Sequence, residues 1–548
     1  MMVRSTASSL RGEHPYRHPA TTGLADLLDR QLCDRPDAPA LVVTSARVPL
    51  SYRALATLVD EVAARLNGAG LRRGDPLGLV SANNAEFVVG LLAAARAGLV
   101  VAPMDPALPG TQLTARFEEL GARAVLVGPP APGAEPAGAG RTGAEAAGAA
   151  GAVSDASDGV AGWPLRVTFS PAGTPAVQLA AGTPPAQPGQ ETAGLLSAED
   201  AVVLFTAGTT DRAKMVPLTH ANVAASIRGI SGSYELGPAD ATVAAMPFFH
   251  GHGLFAVLLA SLASGGRVLL PARGRFSAHT FWDDVRAAGA TWFTAVPTIY
   301  EILLNRSAHD VPGAEIAQLR FVRSCSAPLN TATGRAIERM LGVPLLSAYG
   351  MTETAHQATS EPLPQRGVLK QGSVGRPSGV DIRVLGPDGQ AAAVGTEGEV
   401  WVHGPTVTRG YLGNPAETAR SFVDGWFRTG DLGSLDSDGD LFLTGRLKNL
   451  INRGGEKIAP EHVEDIIAGC PGVLEVAVFA VPDAVYGQRV AAAVVTEGES
   501  VGSEQILRYC RQWLPAFEVP DRIELVPDLP HTPKGALDRR AVDARYGR

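Results

Sequence analysis

The sequence predicts an α/β fold, with a large N-terminal domain of several subdomains and a small α+β C-terminal domain. Helix-like and strand-like segments alternate over residues 22–128 and again over 198–432, which indicates βαβ units around mainly parallel sheets. After Gly372, short strands separated by turn residues predict a small β subdomain. Beyond Lys448, helix-like and strand-like segments form one compact unit, so a domain boundary is expected there.

The helices and strands follow from hydrophobic periodicity. A long amphipathic helix is predicted over Ser51–Ala69, with Ser51 as the N-cap, and a further helix over Asn84–Ala97. Apolar runs bounded by turn residues predict strands. In the N-terminal domain these strands are expected at Ala40–Val43, Pro76–Val80, Leu99–Pro103, Ala241–Phe248, Thr291–Ala295, Leu319–Ser324 and Pro344–Ala348. In the C-terminal unit, helices are expected at Glu461–Ala468 and Ser503–Trp513, and strands at Val473–Val481, Arg489–Val495 and Arg522–Val526.

Two domains and one insertion are therefore expected. The N-terminal domain is predicted to cover residues 22–447 and the C-terminal domain residues 448–548. Within the first, residues 129–162 consist almost entirely of Ala, Gly, Pro, Ser and Asp. Such a composition buries too little apolar surface to offset the entropy of ordering, so a disordered surface insertion is predicted.

Composition excludes several classes of partner. The 548-residue chain has a formal net charge of −8, which argues against nucleic acid and anionic membranes. Its most apolar run, Phe87–Val101, is interrupted by Arg96 and is too short to span a bilayer. The four cysteines are far apart and lack metal-site spacing, as expected for reduced thiols. The sequence predicts a cytoplasmic protein.

The stretch Val203–His220 contains a candidate phosphate site, where an apolar run ends in small and hydroxylated residues. Glycine lets several backbone N–H groups converge, and threonine hydroxyls add donors for phosphate oxygens. Lys214 would add a mobile positive charge. The residues concerned are Thr206, Gly208, Thr209, Thr210 and Lys214.

Taken alone, this stretch has an equally plausible alternative, an ordinary polar turn between a strand and a helix capped at Thr219. The P-loop of strand-to-helix NTPases is excluded, because it needs Gly before the lysine and Ser or Thr after it. Here Ala213 and Met215 occupy those positions.

Further segments occur with this stretch in a characteristic order. They are FTAGTTDRAKMV (205–216), PFFHGHGL (247–254), AYGMTE (348–353), GEVWV (398–402) with Gly410-Tyr411, WFRTGD (426–431), Gly445-Arg446 and NRGGEKI (452–458). Together they resemble the adenylate-forming superfamily of acyl-CoA ligases, luciferases and non-ribosomal adenylation domains. Within it, GRFSAHTFWDDVRAAGATWFTAVPTI, RSCSAPL, MTETAHQATSEPLP and INRGGEKIAP resemble oxalate–CoA ligases. The resemblance extends from about Leu24 to Arg540, apart from the Ala/Gly-rich insertion.

The resemblance implies an ATP-dependent acid–CoA ligase for a small polar carboxylic acid. A carboxylate attacks the α-phosphate of ATP to give an acyl-adenylate and pyrophosphate, and a thiol then displaces AMP. The phosphates need charge neutralisation, because attacker and target are both anionic. The resemblance thus implies ATP, Mg²⁺ and coenzyme A as cofactors, and a small-molecule carboxylic acid plus CoA or another acceptor as partners.

The same resemblance assigns roles to individual residues. Thr206, Gly208, Thr209, Thr210 and Lys214 would hold the phosphates, Tyr349 with Gly350 the adenine side, and Asp431 with Arg446 the ribose. The catalytic set would be Thr352 at the α-phosphate, Glu353 on Mg²⁺, His250 and Lys534. A polar acid pocket would contain His250, His252, Arg323, Ser324, Ser326 and His356. Coenzyme A would contact Gly454, Gly455 and Lys457, beyond a hinge at Lys448 that lets the C-terminal domain rotate.

Several of these residues have structural alternatives. Tyr349 is alternatively a core aromatic, and Asp431 a turn residue after Gly430. Arg323 is alternatively paired with a buried carboxylate. Arg453 and Lys457 are alternatively a solvated basic turn. His250 and His252 would face one side of an extended segment, but a metal site is disfavoured because further ligands are not spaced nearby.

Two departures from the superfamily pattern keep other functions open. The phosphate segment has Ala207, Asp211, Ala213 and Met215 where the family usually has Ser, Gly, Pro and Gly. Near the C-terminus the family carries a catalytic lysine where this chain has Ala536, and the nearby lysine is Lys534. The alternatives are an enzyme of altered chemistry, performing one half-reaction or activating nitrite for diazo formation, and a non-catalytic nucleotide or CoA binder.

Overall fold

The structure is a computed structural model. It describes residues 23–43, 46–130, 162–180, 195–206, 213–306, 313, 316, 318–498, 501–531 and 537–547. Most of the predicted insertion, residues 131–161, lies outside the described residues. So do Gly208, Thr209 and Thr210 of the phosphate segment, and both Lys534 and Ala536.

The largest sheet of the N-terminal part has seven strands in the order β7-β6-β5-β3-β4-β8-β9. Its central strands are parallel, whereas β7 and β9 join the two edges antiparallel. The strands are β3 (Pro76–Val80), β4 (Val100–Met104), β5 (Ala124–Val127), β6 (Trp163–Phe169), β7 (Pro175–Leu179), β8 (Asp200–Thr206) and β9 (Lys214–Thr219).

Two further sheets complete the α/β part. A four-stranded sheet has the order β10-β11-β1-β2, and a five-stranded sheet runs from β12 to β16 in sequence order. The strands of the first are β1 (Pro39–Val43), β2 (Val48–Ser51), β10 (Ala241–Val243) and β11 (Arg267–Leu269). Those of the second are β12 (Trp292–Ala295), β13 (Phe321–Ser324), β14 (Leu345–Tyr349), β15 (Thr359–Ser360) and β16 (Arg376–Pro377).

The predicted β subdomain is a five-stranded antiparallel sheet. Its order is β17-β18-β20-β19, with β21 pairing β20 at the other end of the long strand. The strands are β17 (Asp381–Leu385), β18 (Gly398–His403), β19 (Phe422–Val423), β20 (Trp426–Leu435) and β21 (Leu441–Arg446).

The C-terminal sheet has its own hydrophobic core on each face. Its order is β23-β22-β25-β24, with β26 parallel to β25. Alternate residues of β24 and β25 pack against the helices on opposite faces, as the period of a strand requires. The strands are β22 (Ile451–Arg453), β23 (Glu456–Ile458), β24 (Val473–Asp483), β25 (Gly487–Thr496) and β26 (Arg522–Leu525).

The helices begin at the caps that the sequence indicates. Ser51 Oγ accepts the Ala54 N–H, and Asn84 Oδ1 accepts the Phe87 N–H, so both predicted helices start where expected. The helices are α1 (Asp29–Asp34), α2 (Tyr52–Gly68), α3 (Ala85–Arg96), α4 (Gly110–Leu120), α5 (His220–Ser233), α6 (Ala260–Ala263), α7 (Phe281–Ala288), α8 (Pro297–Arg306), α9 (Thr331–Leu341), α10 (Pro415–Ser421), α11 (Pro460–Ala468), α12 (Ser503–Trp513) and α13 (Arg539–Tyr546). In the described part of the chain, none of these helices has the length and apolar character needed to cross a bilayer.

One local expectation was wrong, and a second was confirmed only in part. The strand predicted at Ala241–Phe248 ends at Val243, and His252 begins a π-helix, His252–Leu259. His250 and His252 therefore do not lie two apart on an extended segment. The helix expected to be capped at Thr219 is confirmed, because α5 begins at His220 with Thr219 as its N-cap. The strand β9, which pairs antiparallel with β8 before that helix, was not expected.

Candidate functional site

The ends of several strands bring the predicted nucleotide residues together. Thr206 ends β8 and lies opposite Lys214, the first residue of β9. Tyr349 ends β14, and Asp431 and Arg446 are cross-strand partners on β20 and β21. In an α/β fold, the loops that bind ligands commonly follow the ends of strands.

Asp431 is the centre of one polar cluster. Its carboxylate is 3% exposed, and burial raises its pKa while the guanidinium of Arg446 opposes that effect. Arg446 Nε lies 2.7 Å from Asp431 Oδ1, and the Tyr349 hydroxyl donates to Oδ2 at 2.6 Å. The carboxylate is thus held rigidly, with oxygen lone pairs left to accept further hydrogen bonds.

Glu353 is the centre of a second cluster. It belongs to a short 3₁₀ turn, Thr352–Thr354, and the Tyr411 hydroxyl donates to its Oε1 at 2.8 Å. Burial raises the pKa of Glu353, whereas this hydrogen bond lowers it. The Lys214 ammonium lies 4.7 Å from the centroid of the Tyr411 ring. Tyr411 therefore contacts both Lys214 and Glu353.

The loop after β14 carries residues of both predicted sites. A Cβ on Gly350 would lie 2.5 Å from the carbonyl carbon and oxygen of His356, so only glycine allows this close backbone approach. Ala355 and His356 both have positive φ. This tight turn places His356 beside the nucleotide residues that precede it in the loop.

Arg323 lies at the centre of the predicted acid pocket and is fully buried, with 0% exposure. Its Nε donates to the Tyr234 hydroxyl at 3.0 Å, and Nη1 donates to Thr294 Oγ1 at 3.2 Å. Nη2 has no hydrogen-bond partner among the described residues, and none of their carboxylates forms an ion pair with this guanidinium. The carboxylate pairing considered as an alternative for Arg323 is therefore absent from the described part of the chain.

Two histidines lie next to the Arg323 guanidinium. His252 Nε2 lies 2.7 Å from Thr294 Oγ1 and 3.3 Å from Arg323 Nη1, and its Nδ1 lies 3.1 Å from Ser326 Oγ. The ring of His356 stacks on His252 with a centroid distance of 4.8 Å. Burial first, and then Arg323 and neighbouring histidines, hold the pKa of His252 well below its usual range; burial and Arg323 do the same for His356. Both rings are neutral near pH 7.

The other predicted pocket residues have different surroundings. Ser324 Oγ is buried and makes no hydrogen bond within the described residues. His250 precedes the π-helix and packs edge-on against Phe249 at 4.5 Å. The neighbourhood of Arg323 thus contains a guanidinium, two neutral imidazoles and hydroxyl groups.

The predicted CoA residues lie in the C-terminal sheet. Gly454 and Gly455 form the tip of the β22–β23 hairpin, both with positive φ, and Lys457 is exposed on β23. Arg453 Nη2 donates to Asp521 Oδ1 at 3.0 Å. Lys448 lies in a 3₁₀ turn, where burial and the nearby Arg446 lower its pKa.

Sequence reasoning missed residues that complete both clusters. Tyr411 was recognised only as part of a motif, and Glu417, the ion-pair partner of Lys214, was not recognised at all. Tyr234 and Thr294 support Arg323 from other elements. Their chain positions carry no local signal of this role, although the motif containing Tyr411 could have suggested it.

The residues fit a magnesium–nucleotide complex better than a protein-only metal site. Mg²⁺ usually takes one or two carboxylates together with substrate phosphates, and Glu353 offers one buried carboxylate near Lys214. A separate cluster of Asp436, Asp438 and Asp440 is already bridged by Lys370 Nζ at 2.6–2.9 Å. A lysine therefore supplies the positive charge there.

Comparison with known proteins gives matches along most of the chain. Residues 28–412 match the family described as AMP-binding enzyme, and residues 462–536 match the AMP-binding enzyme C-terminal domain. An oxalate–CoA ligase of Arabidopsis thaliana is 39% identical over 525 residues, covering 95% of this chain and 98% of the relative. A sulfoacetate–CoA ligase of Cupriavidus necator is 36% identical, covering 94% and 96% respectively.

Solved structures agree with the described architecture. The structure of ATP-bound MatB from Rhodopseudomonas palustris superposes with a TM-score of 0.79 at 29% identity, covering 96% of this chain and 99% of MatB. The o-succinylbenzoate CoA synthetase MenE from Bacillus subtilis, in complex with its acyl-adenylate intermediate, has a TM-score of 0.76 at 24% identity and shows the shared fold.

Proposed function

The chain belongs to the AMP-binding enzyme family, and we propose that it is an ATP-dependent ligase joining a small dianionic acid to coenzyme A. The adenylate-forming acid–CoA ligase activity follows from the relatives and from their coverage of nearly the whole chain. The nature of the acid is the part that this proposal adds.

The observation supporting a dianion is the uncompensated charge of Arg323. A buried guanidinium without a carboxylate partner is unfavourable unless a ligand supplies the missing negative charge. Its Nη2 group is unpartnered among the described residues, and the neighbouring Ser324 hydroxyl is as well. A second anionic group of the acid would pair with Arg323, while the reacting carboxylate lies toward the nucleotide.

In this proposal the nucleotide residues position ATP. Asp431 accepts hydrogen bonds from the ribose hydroxyls, and Arg446 holds that carboxylate in place. Thr352 contacts the α-phosphate, and Lys214 with Thr206 and the hydroxylated phosphate segment neutralises the phosphate chain. Glu353 would bind Mg²⁺, which spreads the negative charge of the phosphates when bound.

Tyr349 has a modified role in this proposal. Its hydroxyl is engaged by Asp431, and its ring packs with Ala358, Val380 and other core residues of the β subdomain. It supports Asp431 directly, and adenine contact would use the remaining ring edge or face. The C-terminal residues Gly454, Gly455 and Lys457 remain the proposed CoA contacts.

The test is pyrophosphate release with ATP and Mg²⁺ across a panel of acids. Oxalate, malonate and sulfoacetate are compared with acetate, an aryl acid and nitrite. Dianionic acids should exceed acetate in kcat/KM by about 10²-fold, because they alone neutralise a buried guanidinium. A preference for acetate or an aryl acid would contradict the dianion, and pyrophosphate release with nitrite alone would favour the diazo-forming alternative.

A second function, limited to one half-reaction, is favoured by Ala536 at the position of the family's catalytic lysine. Lys534 is two residues away, about 7 Å along an extended segment, which is also about the length of a lysine side chain. If Lys534 substitutes, Lys534→Ala lowers pyrophosphate release and Ala536→Lys raises it. If neither substitution changes the rate, the half-reaction or the non-catalytic binder replaces the full ligase as the better explanation.

A further inference from the structure

Glu417 binds two cations at once, and one of them is the lysine of the phosphate segment. Lys214 Nζ forms an ion pair with Glu417 Oε1, and Arg420 Nη2 lies 2.6 Å from Oε2. The Lys214 and Glu417 side chains are 21% and 20% exposed, whereas Arg420 is 73% exposed. The inner cation and the outer cation therefore share one partly buried carboxylate.

The position of Lys214 is limited from the other side by Tyr411. The ammonium lies 4.7 Å from the centre of the Tyr411 ring, and the Tyr411 hydroxyl donates to Glu353. Lys214 thus lies between the face of the Tyr411 ring and Glu417, at the start of β9. A lysine held in this way points at a carboxylate rather than at a phosphate.

We propose that Glu417 is a positioning residue. In the nucleotide-free state it holds Lys214 while also pairing with Arg420. When phosphate oxygens bind Lys214, Glu417 keeps Arg420 as its one remaining partner. This inference rests on the proposed function, because the exchange requires a bound nucleotide. A triphosphate carries several negative charges and outcompetes a single carboxylate for the ammonium.

Arg420 gives the exchange its particular form. Its Nε and Nη2 both contact Glu417 Oε2, at 3.1 and 2.6 Å, so this ion pair does not depend on Lys214. When Lys214 turns toward phosphate, Glu417 keeps one cation and is not left as an uncompensated, partly buried charge. Glu417 therefore opposes nucleotide binding by holding Lys214, whereas Arg420 favours binding by stabilising Glu417 after Lys214 has left.

The test is an equilibrium titration of the full-length chain with MgATP, in the absence of acid and CoA. Glu417→Gln should bind MgATP about fivefold more tightly, because Lys214 no longer has to leave an ion pair. Arg420→Gln should bind it about twofold to threefold more weakly, because the exchange leaves Glu417 unpaired. In the Glu417→Gln background, Arg420→Gln should have no effect, and Lys214→Met should remove the gain.

A purely structural role would not tighten binding, so the sign of the Glu417→Gln effect is decisive. Unchanged or weaker binding by that variant overturns the inference, provided that the wild type binds MgATP. Equal weakening by Arg420→Gln in both backgrounds also overturns it, since Arg420 would then contact phosphate itself. If Glu417→Gln does not fold, tighter or unchanged binding by Arg420→Gln alone is sufficient to overturn it. If the wild type fails to bind MgATP, the nucleotide assignment of the proposed function fails as well.

Discussion

The nucleotide cluster and the acid cluster adjoin the same loop, but they handle charge in opposite ways. In the described part of the nucleotide cluster, the central carboxylates each have a partner: Asp431 has Arg446 and Tyr349, and Glu353 has Tyr411. In the acid cluster, Arg323 is fully buried and is surrounded by hydroxyl groups and neutral imidazoles.

This difference suggests how each cluster meets its ligand. A paired cluster is stable without ligand, so ligand binding must exchange one ion-pair partner for another. The loss of a single such pair should therefore change ligand affinity only moderately. An unpaired buried cation gains its whole compensation from the ligand, so its loss should affect activity more strongly.

Replacing Arg323 by Met should lower kcat/KM for oxalate about 10³-fold, because a charge-assisted contact in a buried pocket is lost. MgATP affinity, measured by titration, should stay within about twofold, since Arg323 contacts none of the nucleotide cluster. The matched control is Arg320→Met, three residues earlier on the same segment, whose ion pair is with Asp240 at 2.6 Å. That variant should lose thermal stability but not acid selectivity. Equal losses for oxalate and acetate in Arg323→Met would contradict the acid-pocket assignment.

Replacing Asp431 by Ala should lower ATP-dependent pyrophosphate release about 10²-fold, because ribose contacts to a charged group disappear. Part of the loss comes from Arg446, which would keep its charge without its partner. Asp440→Ala is the control, since Asp440 is buried in the same subdomain but pairs with Lys370 and Arg376. It should lower the melting temperature and leave ATP kinetics unchanged. Near wild-type pyrophosphate release by Asp431→Ala would show the ribose role to be wrong.

Replacing Tyr411 by Phe should move the acid limb of kcat/KM for MgATP to higher pH. Burial already raises the pKa of Glu353 above its ordinary 4.5, and the Tyr411 hydrogen bond opposes that rise. Glu353 must be ionised to bind Mg²⁺, so activity is present above its pKa and is lost as pH falls through it. Removing the hydrogen bond raises this pKa, and the loss then begins at higher pH.

The control for the pH profile is Tyr52→Phe. The Tyr52 hydroxyl is buried and lies within hydrogen-bonding distance of two backbone carbonyl oxygens, at 2.7 and 3.0 Å, neither of which belongs to the Glu353 cluster. This variant should be less stable but have an unshifted acid limb. If the acid limb is the same in Tyr411→Phe and the wild type, Tyr411 does not influence the ionisation of Glu353.

Replacing Ser324 by Ala should have the smallest effect, raising KM for oxalate about threefold. Its hydroxyl has no hydrogen bond in the described part of the chain, so the variant should unfold at nearly the wild-type temperature. Ser226→Ala is the contrast, because Ser226 donates to the Ala355 carbonyl at 2.6 Å and its loss should lower the melting temperature. A large stability loss in Ser324→Ala would mean that the hydroxyl already serves a structural bond.

Much of the fold was predictable because its signals are local. The caps at Ser51 and Asn84 and the apolar strand Pro76–Val80 lie where hydrophobic periodicity and capping chemistry place them. The errors arose where a local pattern was ambiguous. The apolar run after Val243 has no decisive period, and the π-helix at His252 is stabilised by burial of every residue it contains. Strand β9 was missed because the notable residues around Lys214 were interpreted as a turn, although the strand pairs antiparallel with the preceding strand β8.

For the site, the sequence by itself determined which side chains are available: the RTGD aspartate, the YGMTE glutamate, the lysine of the phosphate segment and the arginine of RSCSAPL. Motif order was enough to indicate the family and its chemistry. The tertiary structure alone decided which of these charges are compensated. Lys214 meets Glu417 across 203 positions and Tyr349 meets Asp431 across 82, whereas Arg323 meets no carboxylate among the described residues. The physical reason is that secondary structure depends on neighbouring residues in the chain, while the energy of a charge depends on whatever packing brings within a few ångströms of it.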